Sequence, residues 1–403
     1  MAYILEVEHF NTFIVKGPAD AWHVEESRIK GAFNAISVDL GVRAHLADGS
    51  FSQELRSNSI TYSGIYNSRT GVNNINQFPS GAEITKSLDV QGGSIQKLYA
   101  EDTNLIIFQE EKVSRALIDK DAIYTAEGGR ISASADAVIG EIISYNGNYG
   151  IGRNPESFAY FAGRKYFADK PKGMILRLSR DGITEISNNG MRSYFRENLR
   201  DATSINGMWD IHNKRYTVSV NKPSNSFTVS FSEESKGWVS FYSFITDEIG
   251  GSVDGKFFTV KNGSIWQHYT NTVHNNFYGT QYNSEIDLIF NQNPSGSKNH
   301  HTINYEGTNS WDISNIGTDT DSAHDIAVYN IANQDLIISA FKKIHNKYFS
   351  NIINDTTSGP NEVIFGGDIS GVKGHFLKIK IKTGSTSYQE LFSVSTNYNL
   401  NSY

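Results

Sequence analysis

The chain has 403 residues, no cysteine, and 36 basic against 43 acidic side chains, for a formal net charge of −7. The missing thiols exclude disulfides, thiolate metal sites, iron–sulfur clusters and cysteine nucleophiles, and the scattered lysines and arginines form no nucleic-acid footprint. With 35 Gly, 7 Pro, 23 Phe and 21 Tyr, the composition points to short strands joined by tight turns, an all-β chain too long for one compact core. No apolar run approaches the ~20 residues that span a bilayer, and the opening MAYILEVEHFNTF carries acid where a secretory leader carries positive charge.

Residues 1–90 differ in texture from the rest and read as an extended N-terminal arm or assembly segment. One strand is expected within 3–15, and residues 55–78, LRSNSITYSGIYNSRTGVNNINQF, are polar with single apolar anchors. Ile60, Tyr62, Ile65, Tyr66, Val72, Ile75 and Phe78 are too sparse to close a core alone. The segment either inserts into a neighbouring subunit or folds back on its own domain. Tyr62, Ile65, Tyr66, Arg69 and Phe78 are the candidate assembly residues, Arg69 as a charge-assisted donor to an acidic partner.

Residues 91–352 read as a β-propeller of about five to seven blades, each a short antiparallel four-stranded sheet. Residues 94–117 hold three strands of a first blade, and 126–148, rich in Gly and Ala, look like a connecting insertion. The stretch 157–187, SFAYFAGRKYFADKPKGMILRLSRDGITEIS, gives four strands with a turn at every joint. A short helix over 191–199 is followed by a second quartet within 205–243 and a third unit at 251–268, whose joints are Asp254-Gly255 and Asn262-Gly263. Further strands are expected at 284–290, 301–305, 310–314, 326–330 and 335–341. Residues 353–403 add strands at 362–365 and 375–382 and a polar tail, completing or flanking the propeller.

The chemistry-bearing candidates are thin. His300 and His301 are adjacent, so on a strand they point to opposite faces and cannot easily share an ion; a solvated strand start is the expectation. Asp319, Asp321 and Asp325 in GTDTDSAHD are weak candidates for a cation loop, lacking the central Gly and closing Glu of the calcium motif. Glu110-Glu111 and Glu233-Glu234 fall in expected turns, where carboxylates are solvated. Trp209, Trp238, Trp266 and Trp311 recur in strands and are expected to pack sheet against sheet, with a sugar-stacking platform as the alternative. No nucleophile elbow, phosphate loop or zinc-protease motif is present, so neither catalysis nor a cofactor is expected.

Three stretches carry a resemblance: YSGIYNSRTGVNNINQF (62–78), SIQKLYAEDTNLIIFQEEKVSRALIDKDAIY (94–124) and YGIGRNPESFAYFAGRKYFADKPKGMILRLSRDGITEISNNGM (149–191). With FKKIHNKYFSNI (341–352) and NEVIFGGDISGVKGHF (361–376), they resemble virion structural proteins of tailed bacteriophages. The likeness is to tail stabilisation or nozzle-type β-propeller proteins of marine and crAss-like phages, and it covers most of residues 22–396. It implies a non-catalytic ring component near the DNA exit channel, in the phage tail of a virion assembled in the bacterial cytoplasm. Its partners would be copies of itself and neighbouring tail or portal-adaptor proteins, with DNA passing through without sequence-specific binding and no membrane insertion. A receptor- or glycan-binding propeller on the virion surface is the alternative, and its mark would be aromatics clustered on exposed loops. A glycan-cleaving propeller would need clustered carboxylates, which the sequence does not show.

Overall fold

The computed structural model describes residues 13–16, 22–25, 56–64, 66–78, 84–101, 104–124, 130–319, 326–330, 336–338, 341–354 and 369–400. The chain is nearly all β and divides into two compact units, Met1–Gln267 and His268–Tyr403. That division falls inside the 91–352 span read as one propeller.

From Ile95 onward the first unit is a series of small antiparallel sheets, each built from consecutive strands. The first sheet comprises Ile95–Glu101, Asn104–Gln109, Val113–Tyr124 and Arg130–Ser144. The second comprises Ala159–Phe161, Arg164–Asp169, Met174–Ser179 and Gly182–Glu185. The third comprises Ser204–Asp210, Arg215–Asn221, Phe227–Ser232 and Gly237–Tyr242. The fourth has three strands, Gly251–Val253, Lys256–Lys261 and Ser264–Gln267. Two-residue turns with left-handed backbone set several of these hairpins: Ala162 and Gly163 have φ of 47° and 79°, and Asp254 and Gly255 have 50° and 72°. Such turns match the right-handed twist of the flanking strands.

The sheets stack face to face. Phe108, Ile106 and Val113 of the first sheet meet Phe167, Leu176 and Leu178 of the second. The opposite face of the second sheet offers Tyr166, Ala168 and Ile175 to Tyr216, Val218 and Phe231 of the third. Tyr166 and Tyr216 stack at 4.9 Å, and Phe161 lies on Trp209 at 4.3 Å. The short helix Arg192–Asn198 seals this layer with Phe195, which is fully buried against Trp238. The first strands of the second, third and fourth sheets lie beside one another. Serial sheets, stacked faces and adjoining first strands are a propeller-like arrangement.

Backbone crowding fixes the spacing of the second and third sheets. A Cβ on Gly207 would sit 1.9 Å from the Ser157 carbonyl oxygen, which also accepts a 2.8 Å hydrogen bond from the buried Tyr216 hydroxyl. Ser157 in turn caps the second sheet, its Oγ accepting from the Ala168 amide at 3.0 Å.

The second unit abandons the serial pattern. Leu377–Thr383 runs between Ser284–Phe290 and Asp312–Asp319, with Ile326–Asn330 beyond. Lys298–Gly307 is the centre of a second sheet, flanked on one side by Lys347–Asn354 and Val372–Gly374 and on the other by Leu391–Leu400. Leu377, Ile379 and Ile381 alternate with Lys378, Lys380 and Lys382, so the isoleucine face closes a core with Ile303, Ile316 and Ile352 while the lysine heads stay toward water. The further strands expected between 284 and 341 are therefore dealt between two sheets.

Three further expectations are corrected. The 126–148 insertion is mostly the fourth strand of the first sheet, pairing with Val113–Tyr124 through two irregularities in register. The polar tail contains a ten-residue strand, Leu391–Leu400, whose mixed composition reflects its place at a sheet edge. His300 is no solvated strand start: it is 1% exposed.

Candidate functional site

The expected arm divides into a packed base and a projecting tip. Ser59–Thr61 pairs with Thr85–Ser87, and Ile60 and Leu88 are buried against Ile107, Ala116 and Ile139 of the first sheet. Tyr62 leans on the same cluster. This part of the 1–90 segment is thus anchored to its own domain, because two apolar side chains brought together by strand pairing suffice where single anchors would not. The Tyr62 amide bonds the Ile84 carbonyl and the Gly64 amide bonds the Gln77 carbonyl, carrying both strands outward.

Beyond them, Tyr66–Asn67 and Val72–Asn73 form a small hairpin around Gly71, whose φ is +70°. Tyr66, Val72 and Ile75 are 57%, 51% and 56% exposed. Arg69 lies exposed on the turn and Phe78 is half-buried at its base. Of the five candidate assembly residues, the structure puts Tyr66 and Arg69 at the tip and Tyr62 and Phe78 nearer the base. Ile65 lies outside the described residues.

Of the acidic loop's three aspartates, Asp319 alone lies within the described residues. Asp319 accepts hydrogen bonds from the His375 amide at 2.6 Å and the Phe376 amide at 3.5 Å, and its second oxygen lies 2.5 Å from His375 Nδ1. Burial pushes its carboxyl upward, but these bonds prevail and hold it below the usual range. Asp321 and Asp325 lie outside the described residues, and no group of three metal-ligating side chains occurs among those described.

Two carboxylates read as solvated are structural nodes. Glu233 accepts from the Tyr166 hydroxyl at 2.6 Å and from Arg177 Nη1 at 2.7 Å, with Arg164 Nε at 4.0 Å, so it ties the second sheet to the third. Glu110 accepts from Ser94 Oγ at 2.5 Å and Arg153 Nε at 3.1 Å, and the serine bond is the main influence holding its pKa low. The hydrogen-bonding partners are 16 to 67 residues away in sequence, so no local signal marks them. The tryptophans behave largely as core: Trp209 and Trp311 are buried, Trp238 donates to the Ile186 carbonyl at 3.0 Å, and Trp266 is 38% exposed.

Fold and surface together define an all-β protein of small antiparallel sheets, serial in the first unit, with a hairpin that exposes Tyr66 and Val72. Residues 272–355, within the second unit, match the family model of the Crassvirus muzzle protein C-terminal domain. The match supports a virion protein of a crAss-like phage. No curated protein matches the chain. Among solved structures, an exo-β-1,3-galactanase of Phanerochaete chrysosporium aligns over 84% of this chain and 100% of its own at 9% identity, with a TM-score of 0.20, too low to mark a shared fold.

Proposed function

We propose that this chain is a non-catalytic structural subunit of a phage tail, a nozzle or stabilisation component near the DNA exit channel that works by assembling with copies of itself. The observation that carries this reading is the muzzle-domain match over residues 272–355. Two features of the chain support assembly. One is the exposed apolar tip formed by Tyr66, Val72 and Ile75. The other is the strand Leu391–Leu400, which carries no charged residue and pairs only with Lys298–Gly307 among the described residues. Soluble monomers often blunt such an edge with lysine or proline, and this strand has neither, although its pairing passes through two register irregularities. A closed ring needs two unlike patches on each subunit, and tip and edge are candidates for them. Without disulfides, ring strength would come from buried area, above the ~1,600 Å² of an ordinary interface.

Cryo-electron microscopy of the intact particle is the test. Density for this chain as a closed ring on the tail axis is the expected result. Density on the capsid shell, or on a peripheral fibre, would overturn the nozzle assignment.

A further inference from the structure

A cleft of about 620 Å³ opens where the first and second sheets meet at their hairpin ends, within the range of small-molecule sites. Its walls come from the end of Ile95–Glu101 and from the two turns of the second sheet. The Ala162-Gly163 turn brings Arg164 opposite Phe161, and the turn before Gly182, whose φ is +99°, carries Arg180.

Three arginines line the cleft, Arg164, Arg177 and Arg180, with Ser179 between the last two. Arg177 spends Nη1 on Glu233, while its Nε and the Ser179 hydroxyl are buried with no hydrogen-bond partner. A buried donor without a partner is costly to the fold, and a bound acceptor would relieve it. Two acidic residues also line the space. Glu101 is already neutralised by the buried Lys165, and Asp181 stands exposed beside Arg180. Counting Lys165 and Glu233 with the lining groups, four cations face three anions among the described residues, an excess of one positive charge in a chain of net −7. Arg180 has no ion partner among the described residues.

The remaining wall is aromatic. Tyr99 and Tyr160 lie 4.9 Å apart, Tyr160 is 41% exposed, and Lys165 Nζ sits 5.9 Å over its ring. A tyrosine face beside arginines and a hydroxyl suits a ring that carries one carboxylate. The face packs against the C–H side of a pyranose, while the guanidinium fork takes the carboxylate oxygens in pairs. A bowl of this size holds one or two sugar units rather than an extended peptide.

We infer that this cleft binds an acidic sugar, a pyranose with one carboxylate such as a uronate or a sialic-type residue. Arg180 and Ser179 would hold the carboxylate, Arg177 would reinforce it, and Tyr160 would support the ring. The inference stands apart from the tail-ring reading, since a ring subunit and a surface subunit could each carry the cleft.

Calorimetric titration of the full chain with a galacturonate oligomer and with a sialylated lactoside tests it against galactose and lactose. Saturable binding of at least one acidic sugar and none of the neutral ones is expected. Arg180→Ala should weaken binding about tenfold, the loss of one charge-assisted contact, with the circular dichroism spectrum unchanged because the side chain is exposed. Arg180→Lys should retain part of the affinity, and Tyr160→Ala should lower it while preserving the preference for acid. Failure of both acidic sugars to saturate, equal binding of lactose, or indifference to Arg180→Ala would overturn the inference. So would acetate, inorganic phosphate or a glutamate-rich peptide competing as well as the sugar, since each assigns the charge to something other than a sugar acid.

Discussion

Single residues decide how far this chain tolerates acid and crowding. His300 is buried, and burial first, then the charge of Lys298 and the neighbouring His301, pushes its pKa down from 6.5 to about 4. The folded state therefore keeps His300 neutral at pH values where the unfolded chain would take up a proton. Stability is full above about pH 6.5 and declines as the pH falls toward 4, by an amount on the order of 2–3 kcal/mol. Urea unfolding followed across that window should show this slope, and His300→Gln should flatten it; an unchanged slope in the variant would assign the acid sensitivity elsewhere. Gly207 makes a different demand. Its φ is unremarkable, yet the Ser157 carbonyl leaves no room for a methyl group. Gly207→Ala should cost on the order of 3 kcal/mol through displaced sheets, whereas Gly251→Ala, where a Cβ meets nothing within 4 Å, should stay close to neutral. Equal melting temperatures for the two variants would refute the packing argument.

Between the residue and the whole stand the hairpins, and here the sequence is most readable. Asp254-Gly255 and Asn262-Gly263 announce their turns because few other pairs enter the left-handed region at both positions. The second, third and fourth sheets follow from such signals almost strand for strand. The fourth strand of the first sheet did not, because the apolar positions of its alternating half are mostly alanine, a weak strand former, and Gly140 interrupts the rest. The Glu233 node was equally hidden, since its partners Arg177 and Tyr166 are 56 and 67 residues distant. The arm was half legible. Its anchors were visible, but which of them face inward depends on Ser59–Thr61 finding Thr85–Ser87. Substitutions separate the two halves. Ile60→Ala, at a buried site, should lower monomer stability by about 2–4 kcal/mol. Replacing Tyr66 and Val72 by Ser should leave the monomer melting curve in place and abolish assembly, read by mass photometry. A lowered melting temperature in the tip variant would mean the tip serves its own fold.

At the scale of the molecule, two kinds of β-architecture share one chain. From Ile95 to Gln267 the strands pair with sequence neighbours, a local order that short turns can specify. After His268 the central strands find partners far along the chain: Ser284 opposes Thr383 and Lys298 opposes Leu400. Such pairings cannot be inferred from turn chemistry, because each requires closing a long loop before any contact forms. That is why the partners of the strands after His268 were not legible in the sequence. Each unit nevertheless owns a buried apolar cluster, Tyr166 to Phe231 in the first and Ile303 to Ile381 in the second. A unit with its own core should fold by itself. Residues 268–403 produced alone should give dispersed amide resonances and a single sigmoidal urea transition. The slower, non-local pairing predicts that this piece refolds more slowly than residues 56–267 under the same conditions. Ile379→Ala should shift the transition of the C-terminal piece and leave that of the N-terminal piece untouched. If residues 268–403 instead remain expanded, with no cooperative transition, the second cluster needs the first unit to close, and the division at Gln267 is one of contacts but not of folding.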